Sequence, residues 1–277
     1  MTTTYTLNDG HTLPGIGFGT YPLGGPAGVG VIVSALHQGY RLIDSAVNYE
    51  NEGAVGEAVR RSGVPREEIV VTSKLPGRHH AYAEAVTCVH ESAYRLGLDH
   101  IDLYLIHWPN PGVDRYVEAW QALVDLRREG VVRSIGVSNF LPEHLNRIVA
   151  ETGVTPAVNQ IELHPYFPQE QQREVHDQLG IRTEAWSPIG KASGLRQEPV
   201  VAGIAEAVGR TPTQVILRWH VQLGVVPLPK AANPGRQREN LDVFDFELDD
   251  AQVAAITALA RPDGRLNGSD PAFHEEF

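Results

Sequence analysis

Apolar positions along the chain follow two alternating patterns. Short runs rich in β-branched residues predict strands, and longer stretches with apolar residues at helical spacing predict helices between them. The predicted strands are Gly15–Gly19, Arg41–Asp44, Ile69–Lys74, Ile101–His107, Val132–Ser138, Pro156–Glu162, Ile181–Ser187 and Gly224–Leu228. The predicted helices are Gly28–Gln38, Asn51–Arg61, Ala81–Leu96, Asp114–Glu129, Pro142–Glu151, Gln169–Leu179, two helices within Pro199–Gln222, and Asp249–Ala260.

Local signals support several helix boundaries. Gly130 follows the apolar periodicity of the fourth predicted helix as a stop signal. Pro142 stands at a helix start, with Asn139 as its candidate cap. Thr211 followed by Pro212 predicts a second start within Pro199–Gln222, so that stretch is interpreted as two helices.

Eight strands that alternate with helices predict a parallel sheet. The length of 277 residues fits one closed (β/α)8 TIM barrel over residues 1–277. The competing fold is an open doubly wound sheet, whose first strand normally leads into a G-x-G-x-x-G loop. The glycine-rich run Gly15–Gly19 lacks the later glycine, which favours the barrel. Residues Thr4–Leu7 and Thr12–Leu13 predict an N-terminal β-hairpin before the barrel.

Composition narrows the class of protein. Hydrophobic residues make up 42% of the chain, and 23 Lys and Arg residues against 34 Asp and Glu residues give a net charge of −11. This charge disfavours nucleic acid and anionic membranes as partners. We see no signal peptide and no apolar run near the ~20 residues that span a bilayer. The single Cys88 cannot form an internal disulfide, so we expect a cytoplasmic protein.

Polar residues stand where the predicted strands end, which in a barrel is the face that carries chemistry. Asp44, Lys74 and His107 end the second, third and fourth strands, and Tyr49 lies in the loop after Asp44. Taken singly, Asp44 is interpreted as a helix cap, Lys74 as a lysine that extends to the solvent, and His107 as a structural histidine. Together they point to one mouth of the barrel. The later strand ends add Ser138, Asn139, Gln160, Trp186 and Ser187.

The four residues suggest a specific reaction. A tyrosine hydroxyl has a reference pKa of ~10, and a nearby buried ammonium is expected to lower that pKa. Tyr49 could then protonate a carbonyl oxygen, with Lys74 held charged by Asp44 and His107 directing the substrate oxygen. Side chains cannot supply a hydride, so this chemistry needs a nicotinamide or flavin.

Seven ordered motifs resemble the aldo-keto reductase family and together cover essentially the whole chain. They are Leu42–Glu52 with Val55–Ala58, Thr72–Leu75, Leu105–Pro109, Gly136–Phe140, Asn159–Pro165, Trp186–Gly190 and Pro229–Asn240. The resemblance implies a (β/α)8 barrel that reduces carbonyl compounds with NADPH. It also implies that Tyr49 is the acid, that Lys74 and Asp44 tune it, and that His107 orients the carbonyl.

The resemblance also implies a cofactor site for NADPH/NADP+. Ser138, Asn139 and Gln160 would bind the nicotinamide carboxamide, and Trp186, followed by Ser187, would stack on its ring. The segment from Lys230 to Asn240 would bind the adenosine 2′-phosphate through the cations Lys230 and Arg236, with Glu239 and Asn240 at the adenine. A solvated charged loop is the alternative interpretation of this segment. Ala231 replaces the Ser or Thr of many relatives, which predicts a weaker preference for NADPH over NADH.

The predicted substrate pocket is lined by Tyr21, Val47 and Trp108 together with His107, with ordinary packing as the alternative for Tyr21 and Trp108. The segment Arg261–Phe277 is short, which resembles bacterial members such as 2,5-diketo-D-gluconate reductases. Its ending, His274–Phe277, is interpreted as a mobile tail.

Other functions stay open at this point. The chain could be a non-catalytic NADPH-binding barrel that senses redox state, or Lys74 could form a Schiff base with a carbonyl substrate. We expect no metal site, because the adjacent pair His79-His80 lacks the ligand spacing. Cys88 is interpreted as a core residue. We expect a monomer that acts on a small carbonyl compound.

Overall fold

The computed structural model describes residues 3–266 and 268–277, in which strands and helices alternate as the sequence predicts. The strands are β1 (Thr4–Thr6), β2 (Thr12–Pro14), β3 (Phe18–Gly19), β4 (Leu42–Asp44), β5 (Val70–Leu75), β6 (Ile101–Ile106), β7 (Val132–Ser138), β8 (Val158–Glu162), β9 (Arg182–Trp186) and β10 (Val226–Pro227). The helices are α1 (Gly25–Gln38), α2 (Glu52–Ser62), α3 (Tyr82–Leu96), α4 (Tyr116–Arg128), α5 (Pro142–Thr152), α6 (Glu170–Leu179), α7 (Pro199–Val208), α8 (Pro212–Gln222), α9 (Pro234–Leu241) and α10 (Asp250–Thr257).

The sheet from β3 to β10 is parallel, and neighbouring strands follow chain order. Two backbone hydrogen bonds close it into a barrel: the N–H of Gly17 donates to the Pro227 carbonyl at 3.0 Å, and that of Gly19 donates to the Pro229 carbonyl at 3.2 Å. A Cβ at position 17 would lie 2.5 Å from the Leu228 side chain. The glycines of this run therefore serve close packing at the closure, and the predicted barrel is confirmed.

The predicted hairpin covers one end of the barrel. Strands β1 and β2 pair antiparallel, with Tyr5 opposite Leu13. Leu7 and Leu13 are buried in one cluster with barrel residues that include Leu42 and Leu103. The hairpin thus seals the end that lies opposite the strand carboxyl ends.

The larger core lies between the strands and the surrounding helices. In α4, the buried residues Ala119, Trp120 and Leu123 recur at helical spacing and face the sheet. Trp120 is fully buried, and its indole N–H donates to the Val154 carbonyl at 3.2 Å. This packing fixes the helices against the strands and so holds the strand ends in place.

Several details differ from the prediction. Asn139 does not cap α5, because Leu141 is the residue before that helix. The segment after β10 contains α9, capped by the Asn233 side chain, where only an irregular stretch was expected.

The start of α8 at Thr211 is confirmed, since the Thr211 side chain accepts from the N–H of Gln214. Among the described helices, none is long and apolar enough to span a membrane.

Candidate active site

A cavity of about 430 Å³ opens at the carboxyl ends of the barrel strands. Asp44, Tyr49 and His107 lie in its wall, and Lys74 lies directly beneath Tyr49 with its Nζ 5.0 Å from the centre of the ring. The structure therefore brings together the three residues that the sequence placed at strand ends and Tyr49 from the loop after Asp44.

Lys74 and Asp44 form a buried ion pair. The Lys74 Nζ donates to Asp44 Oδ1 and to the Ser45 carbonyl, both at 2.7 Å, and Lys74 is fully buried. Burial acts to lower the pKa of Lys74, but the negative charge of Asp44 and the weaker effects of its other neighbours outweigh this, so the pKa lies above its ordinary value. The ammonium is therefore charged at neutral pH.

Tyr49 ends a short 3₁₀ helix, Val47–Tyr49, that follows β4. Its ring meets the His107 ring edge-on at 5.9 Å between centres and lies 5.2 Å from the Tyr21 ring. Burial raises the pKa of the Tyr49 phenol, and the charge of Lys74 offsets only part of that rise. Lys74 lowers the pKa as expected, but removing the phenolate from water has the larger effect, so the net shift is upward. Tyr49 is therefore a neutral phenol with a proton to donate.

Asn139 ties three strand ends together beside the cavity. Its Nδ2 donates to the His107 carbonyl at 3.0 Å, and its Oδ1 accepts from the Trp186 indole at 2.9 Å. Its φ of 62° places it in the left-handed region, which asparagine tolerates better than most residues. These bonds explain why Asn139 is not a helix cap. Asn139, Gln160, Trp186 and Ser187 line the cavity.

Ser138 lies behind this wall. It is fully buried, and its hydroxyl donates to the Gln160 carbonyl at 2.8 Å while accepting from Asn139 Nδ2 at 3.0 Å. Ser138 thus supports the Asn139 side chain and the Gln160 backbone, which belong to two residues whose binding role the sequence predicts.

The predicted phosphate segment lies beside the cavity. Lys230 is exposed and lines it, while the exposed Arg236 lies in the first turn of α9. Glu239 accepts a hydrogen bond from the Thr211 hydroxyl at 2.6 Å, and Asn240 is buried. The helix start and the two cations are each favourable for a phosphate.

The sequence profile of the Aldo/keto reductase family matches residues 16–261. The chain belongs to the aldo/keto reductase family. It is 57% identical over 274 residues to 2,5-diketo-D-gluconic acid reductase B of Corynebacterium sp. (strain SHS752001), with 99% of this chain and 98% of that protein covered. It is 46% identical to morphine 6-dehydrogenase of Pseudomonas putida, with 96% and 93% covered.

A solved structure supports the same assignment. A substituted form of Gox0644 in complex with NADPH superposes with a TM-score of 0.95 at 44% identity, covering 99% of each chain. The family resemblance and the barrel fold expected from the sequence are therefore confirmed.

This aldo/keto reductase carries a buried carboxyl that the sequence analysis missed. Gln160 Nε2 donates both to Asp44 Oδ1 at 2.9 Å and to Glu184 Oε2 at 2.8 Å. Glu184 is fully buried on β9, and its Oε1 has no hydrogen-bond partner among the described residues. Burial, with the charge of Asp44, raises its pKa to about 8. The sequence signal that could have revealed this carboxyl is a glutamate in the middle of a predicted barrel strand, Ile181–Ser187.

Replacing Glu184 with Gln should change how stability depends on pH. A carboxyl whose pKa rises on folding keeps a proton that the unfolded chain releases, so stability falls as pH rises from about 4.5 to about 8. We expect Glu184→Gln to remove a loss on the order of a few kcal/mol over this range, measured by urea unfolding. Glu91→Gln, on an exposed position of α3, is the control and should keep the wild-type slope. If the free energy of unfolding of Glu184→Gln depended on pH as in the wild type, the raised pKa of Glu184 would be contradicted.

The predicted substrate-pocket residues divide into two groups. Tyr21, 63% exposed, and the buried Trp108 both line the cavity. Val47 instead faces a shallow outer groove with Arg78 and Cys88, because the 3₁₀ helix that turns Tyr49 inward turns Val47 away. Residues 274–276 are also not a free tail: the His274 ring packs on Trp108 at 4.2 Å between centres.

A metal centre finds no support within residues 3–266 and 268–277, where no three His, Cys, Asp or Glu side chains are grouped to hold an ion. His80 is buried, and burial lowers its pKa to about 4. Cys88 is buried in the main core, as the sequence predicted.

Proposed function

We propose that this protein reduces aldehydes or ketones to alcohols with NADPH, with Tyr49 as the proton donor. The observation that carries the proposal is the buried ammonium of Lys74, held 2.7 Å from Asp44 and 5.0 Å from the centre of the Tyr49 ring at the wall of the cavity. When bound, NADPH supplies the hydride that side chains cannot.

The chain's own residues carry the proton. The Tyr49 hydroxyl gives its proton to the carbonyl oxygen as that oxygen gains negative charge, and Lys74 stabilises the phenolate that is left. Asp44 keeps Lys74 charged and in place. His107, on the same wall, directs the carbonyl oxygen toward the Tyr49 hydroxyl. Water then returns the proton to Tyr49 after the alcohol leaves.

The residues present fit such a dinucleotide. The amides of Asn139 and Gln160 offer donors and acceptors to a carboxamide, and the partly exposed Trp186 offers a ring face at the cavity. Arg236 supplies positive charge in the first turn of α9 and Lys230 supplies it at the cavity wall, in a chain whose net charge is −11. Positive charge placed locally in an acidic protein favours a specific phosphate site over general attraction of anions.

Arg236→Ala should weaken NADPH more than NADH. The lost charge-assisted hydrogen bonds to the 2′-phosphate predict a roughly 10–100-fold higher Kd for NADPH. Fluorescence titration with both cofactors measures this. Arg238→Ala is the matched control, because Arg238 lies on the same helix but donates to Gln38 on α1. Equal weakening of both cofactors by Arg236→Ala would contradict the assignment.

Two other functions fit the geometry less well. A Schiff-base role for Lys74 requires its amine to reach a substrate, yet Lys74 is fully buried and its Nζ donates to Asp44 and Ser45. A redox sensor would not need a complete acid, ammonium and carboxylate set at one cavity. Borohydride trapping with a carbonyl compound should therefore give no adduct at Lys74.

The deciding experiment is NADPH oxidation with a panel of aldehydes, keto sugars and dicarbonyl compounds. The named relatives act on chemically different molecules, a diketo sugar acid and an opiate alcohol, so the panel must include both anionic and neutral carbonyls. We expect turnover with at least one class. A purified protein that binds NADPH but oxidises it with none of them would overturn the proposal.

A further inference from the structure

Residues 274–276, here called the strap, are docked across the cavity rim on the loop that follows β6. Asn110 holds the strap backbone at two points: its Nδ2 donates to the Glu276 carbonyl at 2.7 Å, and its Oδ1 accepts from the Glu276 N–H at 3.2 Å. The Glu275 side chain accepts from the Gly112 N–H. Together with the packing of His274 on Trp108, these contacts fix the strap in one position.

Two glycines lie in the loops under the strap, and its docking requires one of them, Gly77. A Cβ at position 77 would lie 2.2 Å from the Glu276 carbonyl oxygen and 2.2 Å from Asn110 Nδ2. A Cβ at position 112 would lie 2.7 Å from a Glu275 carboxylate oxygen. A side chain at position 77 would therefore push the strap backbone away from the rim, whereas at position 112 only the flexible end of the Glu275 side chain would have to move.

The docked strap places the Glu276 carboxylate beside His107 in the candidate active site. Its Oε1 lies 2.8 Å from Nδ1 of His107 and accepts from Asn48 Nδ2 at 2.8 Å, while its Oε2 accepts from the Gly77 N–H at 3.3 Å. Burial acts to raise the pKa of Glu276, but His107 and the Asn48 and Gly77 donors outweigh it, so the pKa lies below its ordinary value. The strap therefore presents a negative charge to the ring that the proposed reaction uses.

We infer that Glu276 is a positioning residue for carbonyl reduction, acting through His107. The 2.8 Å approach of the carboxylate places the Nδ1 side of the imidazole toward the strap and leaves Nε2 as the nitrogen available to a substrate oxygen. When Nε2 carries a proton, it can donate a hydrogen bond to that oxygen. The effect of Glu276 on catalysis rests on the proposed function, but its contact with His107 can be tested without turnover.

The kinetic test compares two neutralised carboxylates on the same strap. Glu276→Gln should lower kcat about 10–100-fold, as is typical when the carboxylate partner of a functional histidine is lost, with KM and NADPH binding nearly unchanged. Glu275→Gln removes the same charge one residue away, keeps a side-chain oxygen that can accept from the Gly112 N–H, and should leave kcat unchanged. Gly77→Ala, which displaces the strap while leaving both carboxylates in the chain, should lower kcat as Glu276→Gln does.

The second test reads the contact directly. In protein labelled with ¹⁵N-histidine, we expect Glu276→Gln to shift the ring nitrogen resonances of His107, assigned by their loss in His107→Gln, and Glu275→Gln to leave them in place. Identical His107 resonances in Glu276→Gln and wild type, or a change in KM alone, would overturn the inference. If the wild type reduces no carbonyl compound, the proposed function fails, while these resonances still decide whether Glu276 sets the state of His107.

Discussion

Replacing Tyr49 with Phe should abolish most turnover while NADPH binding stays nearly intact. The substitution removes one oxygen and keeps the ring, so the packing against Tyr21, His107 and Lys74 is retained. Loss of a general acid predicts a fall of about 10²–10⁴-fold in kcat. Steady-state kinetics with the best carbonyl of the panel gives kcat, and quenching of protein fluorescence gives the NADPH Kd.

A second tyrosine provides the control for this experiment. Tyr82 lies on the outside of α3, where its hydroxyl donates to Asp125 at 3.1 Å, and Tyr82→Phe should leave kcat unchanged. The acid role of Tyr49 would be refuted by a Tyr49→Phe protein that keeps wild-type turnover. It would also be refuted by one that loses activity only because NADPH no longer binds.

The meeting of the four site residues could be predicted from the sequence because parallel strands end at one face. Asp44, Lys74 and His107 follow consecutive apolar runs, and those runs become neighbouring strands. Apolar residues on both faces identify such strands, since both faces are covered in a barrel. The remaining step is the closure of the sheet into a barrel, which the backbone hydrogen bonds of Gly17 and Gly19 provide.

The parts that the sequence could not predict depend on contacts without any local pattern. Glu276 and Asn110 are 166 positions apart, and no periodicity links an irregular segment to the loop that it covers. The net pKa shift of Tyr49 is a balance between burial and charge, and only a structure gives the degree of burial. By contrast, α9 did carry a signal, because Asn233 followed by Pro234 is a typical helix start.

The interior beneath Tyr49 holds the ammonium of Lys74 and the carboxyl groups of Asp44 and Glu184. Lys74 neutralises Asp44 at 2.7 Å, while Glu184 is joined to the pair only through the Gln160 amide. Because its pKa is raised to about 8, Glu184 is protonated at neutral pH and adds no second negative charge. The charge of Lys74 is therefore directed to Asp44 and to the phenolate that forms at Tyr49.

Lys74→Met should impair both stability and turnover. The methionine fills similar space but leaves the Asp44 carboxylate buried without its counter-ion, and breaking a buried pair costs about 3–5 kcal/mol. Turnover should fall because the phenolate of Tyr49 loses the nearby positive charge. Urea unfolding measures the free energy of unfolding, and kcat with the best carbonyl compound measures the loss of turnover.

The double substitution Lys74→Met with Asp44→Asn separates the two effects. It removes both charges and keeps an oxygen that can still accept from Gln160, so most of the lost stability should return. Turnover should not return, because the ammonium near Tyr49 is still missing. Recovery of kcat along with stability would show that Lys74 acts only through the fold. A Lys74→Met protein as stable as the wild type would show that the Asp44 charge is neutralised by another group.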